Sequence, residues 1–128
     1  MQRRIRKVGI VDRARAIAKL TAPGRKYELQ NVCVNGNEVK WFVNAPTSLR
    51  QLISEARCEK TFFVYNDERY TFEEFYQRAS NLGRRLIDDY GVKPGDRVAI
   101  GLRNYPEWAL AFAAITSIGG IVAGLNAW

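Results

Sequence analysis

Gly91-Val92-Lys93-Pro94-Gly95-Asp96-Arg97-Val98-Ala99-Ile100, followed shortly by Asn104-Tyr105-Pro106-Glu107-Trp108, is the stretch whose reading decides the fold class. Gly91 follows Tyr90 at the end of a helical pattern and can take the left-handed backbone that closes a helix. Pro94-Gly95 predicts a type II turn, because proline presets the first central φ and glycine tolerates the positive second one. Residues 97–102 are rich in β-formers, and Val98-Ala99-Ile100-Gly101-Leu102 is apolar without alternation. That pattern fits a strand covered on both faces, as parallel sheets require. Asn104 is expected to cap the next helix, with Pro106 in its first turn. Residues 108–118 are apolar almost all round and predict a buried helix. Gly119-Gly120 stops that helix, and Ile121-Val122-Ala123 reads as a returning strand, parallel to the first through a right-handed crossover. The predicted class is α/β: a partial α/β subdomain with a parallel strand–helix–strand unit over residues 97–102, 106–118 and 121–125.

Upstream, Thr71-Phe72-Glu73-Glu74 fits a capping box, with Thr71 bonding the Glu74 amide and Glu74 reaching back. The helix it opens shows Phe72, Phe75, Tyr76, Ala79, Leu82 and Leu86 at a period of 3.6. Thr61-Phe62-Phe63-Val64-Tyr65 is a short strand, and Asn66-Asp67-Glu68-Arg69 reads as a polar turn with Tyr70 across it. Tyr65 and Tyr70, flanking that turn, are expected as cross-strand or edge partners. Pro46-Thr47-Ser48 starts a helix carrying Leu49, Leu52, Ile53 and Ala56 on one stripe. Before it, Asn35-Gly36 joins two β-prone runs, residues 27–34 and 39–43, a strong hairpin signal. Asp12 can cap a short helix over residues 13–20, which Pro23-Gly24 ends. The expected organisation is a basic N-terminal arm and helix (1–26), a β-hairpin extension (27–45) and an incomplete larger domain (46–128).

The charge is unevenly spread. The whole chain of 128 residues carries +7. Residues 1–26 hold nine Lys/Arg against one acid, Asp12, so they carry +8 and the rest is close to neutral. A hydrophobic fraction of 47% with 26% charged residues fits a globular protein and excludes disorder. With no His and only Cys33 and Cys58, lacking CxxC spacing, a zinc site would need unusual ligands. No apolar run reaches the roughly 20 residues that span a bilayer, and nothing reads as a secretory signal. The expected setting is cytoplasmic, with two inert thiols.

Four motifs in order carry a resemblance to a known family. They are Tyr70-Thr71-Phe72-Glu73-Glu74-Phe75; residues 91–99; Arg103-Asn104-Tyr105-Pro106-Glu107-Trp108; and Ala114-Ile115-Thr116-Ser117-Ile118-Gly119-Gly120 with Leu125-Asn126-Ala127-Trp128. Over residues 46–128 the chain resembles the N-terminal part of the adenylate-forming, AMP-binding ligases, in particular the fatty-acyl-CoA synthetases. One position departs from the pattern: Gly124 stands where the family usually places proline before Leu-Asn. The resemblance implies a full-length acid–thiol ligase. In it a carboxylate attacks the α-phosphate of ATP, pyrophosphate leaves, and coenzyme A thiol displaces AMP from the acyl-adenylate, with magnesium neutralising phosphate charge. It also implies that the phosphate loop, the adenine and ribose contacts and the catalytic lysine lie beyond Trp128. The chain is therefore expected to be catalytically silent alone, with no catalytic, cofactor-binding or metal residue of its own. ATP, Mg2+ and coenzyme A are expected only for the full enzyme, and the remainder of the ligase is the expected partner.

The remaining features have structural readings. Glu73 and Glu74 point in different directions on a helix and serve capping and the dipole. Asn104 and the amides near Pro106 sit where α/β proteins bind anions, although plain capping explains them. Asp96 closes a turn onto nearby amides. Trp41, Trp108 and Trp128 are read as core and hairpin cover. The basic arm (Arg3, Arg4, Arg6, Lys7, Arg13, Arg15) is either solvated, docked on the rest of the enzyme, or set against anionic lipid with Ile5, Ile10 and Ile17 inserting. A peripheral membrane contact by residues 1–20 therefore stays open. One alternative is a basic nucleic-acid-binding module, suggested by the net charge of +7; because the body lacks a basic stripe interleaved with aromatics, a nucleic-acid partner is not expected. Alternatively the chain is an interaction module, since an unpaired strand near residues 121–125 would favour self-association.

Overall fold

The computed structural model describes residues 12–125. The readings made on residues 1–11 and 126–128, including most of the basic arm and Trp128, lie outside the described residues. The chain divides into two compact units, Met1–Ala45 and Pro46–Trp128.

In the first unit, α1 (Arg13–Leu20) is capped by the Asp12 carboxylate, which accepts from the Arg15 amide. The strands β1 (Leu29–Val34) and β2 (Asn37–Phe42) form an antiparallel hairpin in which Val32 pairs with Val39 and Leu29 with Phe42. Its turn needs positive φ at both central residues, and Asn35 (50°) and Gly36 (82°) supply it. Tyr27 meets Phe42 edge-on, with ring centroids 6.5 Å apart. No described residue of this unit is buried, and two strands with so little cover are marginal by themselves.

The second unit carries the core. Helix α2 (Leu49–Glu55) starts at Ser48, whose hydroxyl accepts from the Gln51 amide at 3.1 Å. The strands β3 (Thr61–Tyr65) and β4 (Glu68–Thr71) form a second hairpin, register Tyr65↔Glu68, Val64↔Arg69 and Phe63↔Tyr70. This corrects the sequence reading of residues 66–69 as a turn. The turn is Asn66-Asp67 alone, with Asn66 at φ 51°, and Glu68-Arg69 already belong to a strand. Tyr70 consequently stacks on Phe63, and Tyr65 meets Tyr105 instead of Tyr70. Helix α3 (Phe72–Asp88) opens with the expected capping box. Its C-cap is Asp89, and just beyond it Gly91 takes the left-handed backbone (φ 67°) that turns the chain away, its N–H donating to the Ile87 carbonyl at 3.0 Å.

The strand β5 (Arg97–Ile100), helix α4 (Pro106–Ser117) and strand β6 (Ile121–Gly124) form the parallel unit, with Val98 opposite Val122 and Ile100 opposite Gly124. The Lys93 carbonyl accepts from Asp96 N–H at 3.0 Å across the Pro94-Gly95 turn, Gly95 has φ 89°, and the Asp96 carboxylate accepts from the Lys93 amide at 2.8 Å. Both strands are shorter than expected. Leu125 N–H donates to the Ile100 carbonyl, and beyond that bond Gly101 and Leu102 leave the ladder and are exposed.

The expectation of cover on both faces of β5 also needs correcting. Val98 and Ile100 are sheltered while Arg97 and Ala99 are exposed, because the helices cover one face of this pair. Helix α4 does bury, as its all-round apolarity predicts: Glu107 is its one exposed residue. The core joins Phe75 and Ala79 of α3 to Ala113 of α4, with Ile53, Phe63, Ala109 and Leu110 packed around them. No helix among the described residues is long and apolar enough to cross a membrane.

The geometry also accounts for Gly124. The amides of Ile121 and Leu125 both donate to β5, to the carbonyls of Asp96 and Ile100. Since alternate amides of a strand face opposite sides, that of Gly124 faces the outer edge, which has no strand partner among the described residues. An outward N–H is where a strand tolerates proline, so glycine and proline are both compatible with this ladder.

Candidate functional site

Crossing from β5 into α4 brings the carboxyl end of a strand to a helix N-terminus, the usual place for anions in α/β proteins. The N-cap here is Tyr105 and not Asn104, with φ −97° and ψ 163° and no side-chain capping bond. The reason is Pro106: proline favours the first helical position, and the residue before it is driven to extended backbone. Glu107 in the first turn already supplies negative charge to the dipole. Beside this end lies an open groove of about 350 Å³ lined by Phe62, Phe63, Tyr65, Tyr105 and Pro106. It is an aromatic shelf without nucleophile or base. Among the described residues no three His, Cys, Asp or Glu side chains are placed to share a metal ion.

The two adjacent acids separate as expected. The Glu74 carboxylate accepts from the Thr71 amide at 2.8 Å, closing the capping box. Glu73 does something the sequence did not reveal: Arg57, 16 positions earlier, donates to both its oxygens at 2.8 Å. Gln77 donates to Glu73 as well, and the Arg57 guanidinium lies 4.4 Å from the Tyr76 ring centroid. These bonds, with that from Arg57 the largest cause, hold the Glu73 carboxyl down at about 2.

Because the folded value lies below the ordinary carboxylate range, the pair's stability is present above about pH 4.5 and is lost as pH falls toward 2. Glu73→Gln should therefore flatten the acid limb of the unit's thermal stability between those pH values. Unchanged pH dependence in melting experiments would refute the pairing.

Tyr70, buried at 6% exposure, donates its phenol proton to Glu68 and has the Arg78 guanidinium 4.7 Å above its ring. The bond to Glu68 and burial push its hydroxyl above the usual tyrosine value. Both clusters pin the second hairpin and the approach to α3. Neither opens onto a cavity suited to catalysis.

Comparison with known proteins identifies the frame. The sequence model of the AMP-binding enzyme family matches residues 50–127, more than half of the chain. The chain belongs to the AMP-binding enzyme family. Among relatives, malpinin synthetase of Mortierella alpina is 37% identical over 73 residues, 57% of this chain and 1% of that protein. Long-chain fatty acid transport protein 6 of Mus musculus is 29% identical over 82 residues, 62% of this chain and 13% of that protein. Among solved structures, the anthranilate CoA ligase AuaEII in complex with anthranoyl-AMP superimposes with a TM-score of 0.58 at 25% identity, covering 62% of this chain and 16% of the ligase. This AMP-binding family chain thus spans from about one hundredth to one sixth of the length of these proteins.

Proposed function

We propose that this chain is the N-terminal framework of an AMP-forming carboxylate–CoA ligase acting on fatty acids, and that it is inactive alone. The observation that carries the reading is the family match over residues 50–127, which spans the parallel β5–α4–β6 unit. The likeness to AuaEII, an anthranilate CoA ligase, supports the thioester-forming branch. The likeness to a long-chain fatty acid transport protein supports a fatty acid as the acyl donor. In the whole enzyme the carboxylate displaces pyrophosphate from ATP to give an acyl-adenylate, and coenzyme A thiol then displaces AMP.

The described residues do not fit a magnesium–nucleotide site. Among them no three His, Cys, Asp or Glu side chains are placed to hold a metal ion, and the helix end nearest such a role carries Glu107. ATP, Mg2+ and coenzyme A are therefore assigned to the remainder of the enzyme, and no step is drawn through them on this chain. The chain contributes rigidity: a parallel strand pair held on α4, with α3 clamped behind it by the capping box and the Arg57–Glu73 pair.

ATP–pyrophosphate exchange tests the proposal. The 128-residue chain should show none with any acid, whereas the same reading frame extended past Trp128 should exchange with long-chain fatty acids. Exchange by the short chain would overturn the inactivity, and preference of the extended protein for aryl or short acids would overturn the fatty-acid assignment.

A further inference from the structure

We propose that the groove between α2, α3 and α4 binds a small amphipathic carboxylate, one carboxylate head on a medium-length apolar body. The groove encloses about 340 Å³, near the lower end of the range for small-molecule sites. Its floor is made of Ala79, Gly83 and Ala114, all buried. The floor is low because α3 and α4 approach closely there: a Cβ on Gly83 would lie 3.1 Å from Ile118 Cγ2. Ile53 and Ile87 supply apolar walls, and Ile87 is 47% exposed.

Charge at the rim selects the head group. Arg50 of α2 and Arg84 of α3 line the groove and are exposed. Among the described residues neither lies within ion-pair distance of a carboxylate, whereas Arg57 and Arg85 do. Asp88, one turn beyond Arg84, is not within reach of it either. The hydroxyls of Ser80 and Ser117 also line the groove. Guanidinium groups free to fork onto a carboxylate, above an apolar floor, match a free acid with an apolar tail. A volume of about 340 Å³ favours a free acid over a two-chain lipid. The proposal is independent of the ligase reading, because nothing in it requires adenylation.

The test is an amide NMR titration of the 128-residue chain with decanoate, with decanol and decyltrimethylammonium as matched controls, all below micelle-forming concentration. Decanoate should give saturable shifts centred on residues 79–87 and 114–118, binding at least tenfold more tightly than decanol. Each methylene removed should weaken binding about two- to fourfold, following the free energy of burying one CH2. The Arg50→Gln/Arg84→Gln double variant, altered at exposed positions, should keep its spectrum and lose tenfold or more in affinity. Ser80→Trp should fill the groove and abolish binding. Equal binding of alcohol or amine would overturn the proposal, as would shifts centred on Phe62 and Tyr105 or an unaffected double variant. Response to anionic phospholipid vesicles without response to the free acid would also overturn it.

Discussion

Phe75→Ala should cost about 3–5 kcal/mol, the range for truncating a buried phenylalanine, and remove most of the second unit's cooperative stability. Phe75 is 7% exposed and lies at the centre of the core cluster, with ring centroids 4.6 Å from Phe62 and 6.1 Å from Phe63. Truncation would leave a cavity between α3, β3 and α4 whose walls are rings and helix backbone, which collapse poorly. A unit of this size has roughly 4–12 kcal/mol in total, so the loss is a large fraction of it. Urea unfolding followed through amide signals of α3 and α4 reads the effect. Phe62→Ala, at a position 40% exposed, is the comparison and should cost clearly less. Equal losses at the two sites would show that the core is not centred on Phe75.

Gly120→Ala should destabilise the unit by about 2–3 kcal/mol, near the upper part of the overpacking range, and loosen the β5–β6 register. Gly120 sits between α4 and β6, and a Cβ there would lie 2.9 Å from Ile115 Cγ2 and 3.1 Å from the Ile115 carbonyl oxygen. Neither atom can yield cheaply. The Ile115 side chain is 2% exposed, and its carbonyl accepts the Gly120 amide at 2.9 Å. One residue on, Ile121 N–H donates to Asp96 at 2.8 Å, the bond that starts the parallel ladder. Displacing Gly120 therefore displaces the strand. Hydrogen exchange at Ile121 and Ala123 should accelerate in Gly120→Ala. It should stay unchanged in Gly124→Ala, where an added Cβ meets nothing within 4 Å. Similar behaviour of the two variants would refute the account of how β6 is seated.

What could be read beforehand was governed by neighbours in the chain. The capping box at Thr71, the Gly91 stop, the Pro94-Gly95 turn, the type I′ turn at Asn35-Gly36 and the β5–α4–β6 succession all depend on residues within a few positions of each other. The same locality misled at Asn104, where proline's restriction of its predecessor outweighed the asparagine's capping propensity. It misled again at Glu68-Arg69, where two polar residues in a polar run belong to a strand because Tyr65 and Val64 stand opposite them.

The amino-acid sequence by itself determined the α/β class, the order of the elements, the parallel strand–helix–strand unit and the resemblance that the family match bears out, because those follow from periodicity, turn chemistry and motif order. The tertiary structure decided that one face of β5 is covered and the other is not, that Arg57 holds Glu73, and that Arg50 and Arg84 share a groove floored by Ala79, Gly83 and Ala114. Those relations join residues from 16 to 64 positions apart. Separation along a chain sets no distance in space until helices have packed and buried their small residues against one another.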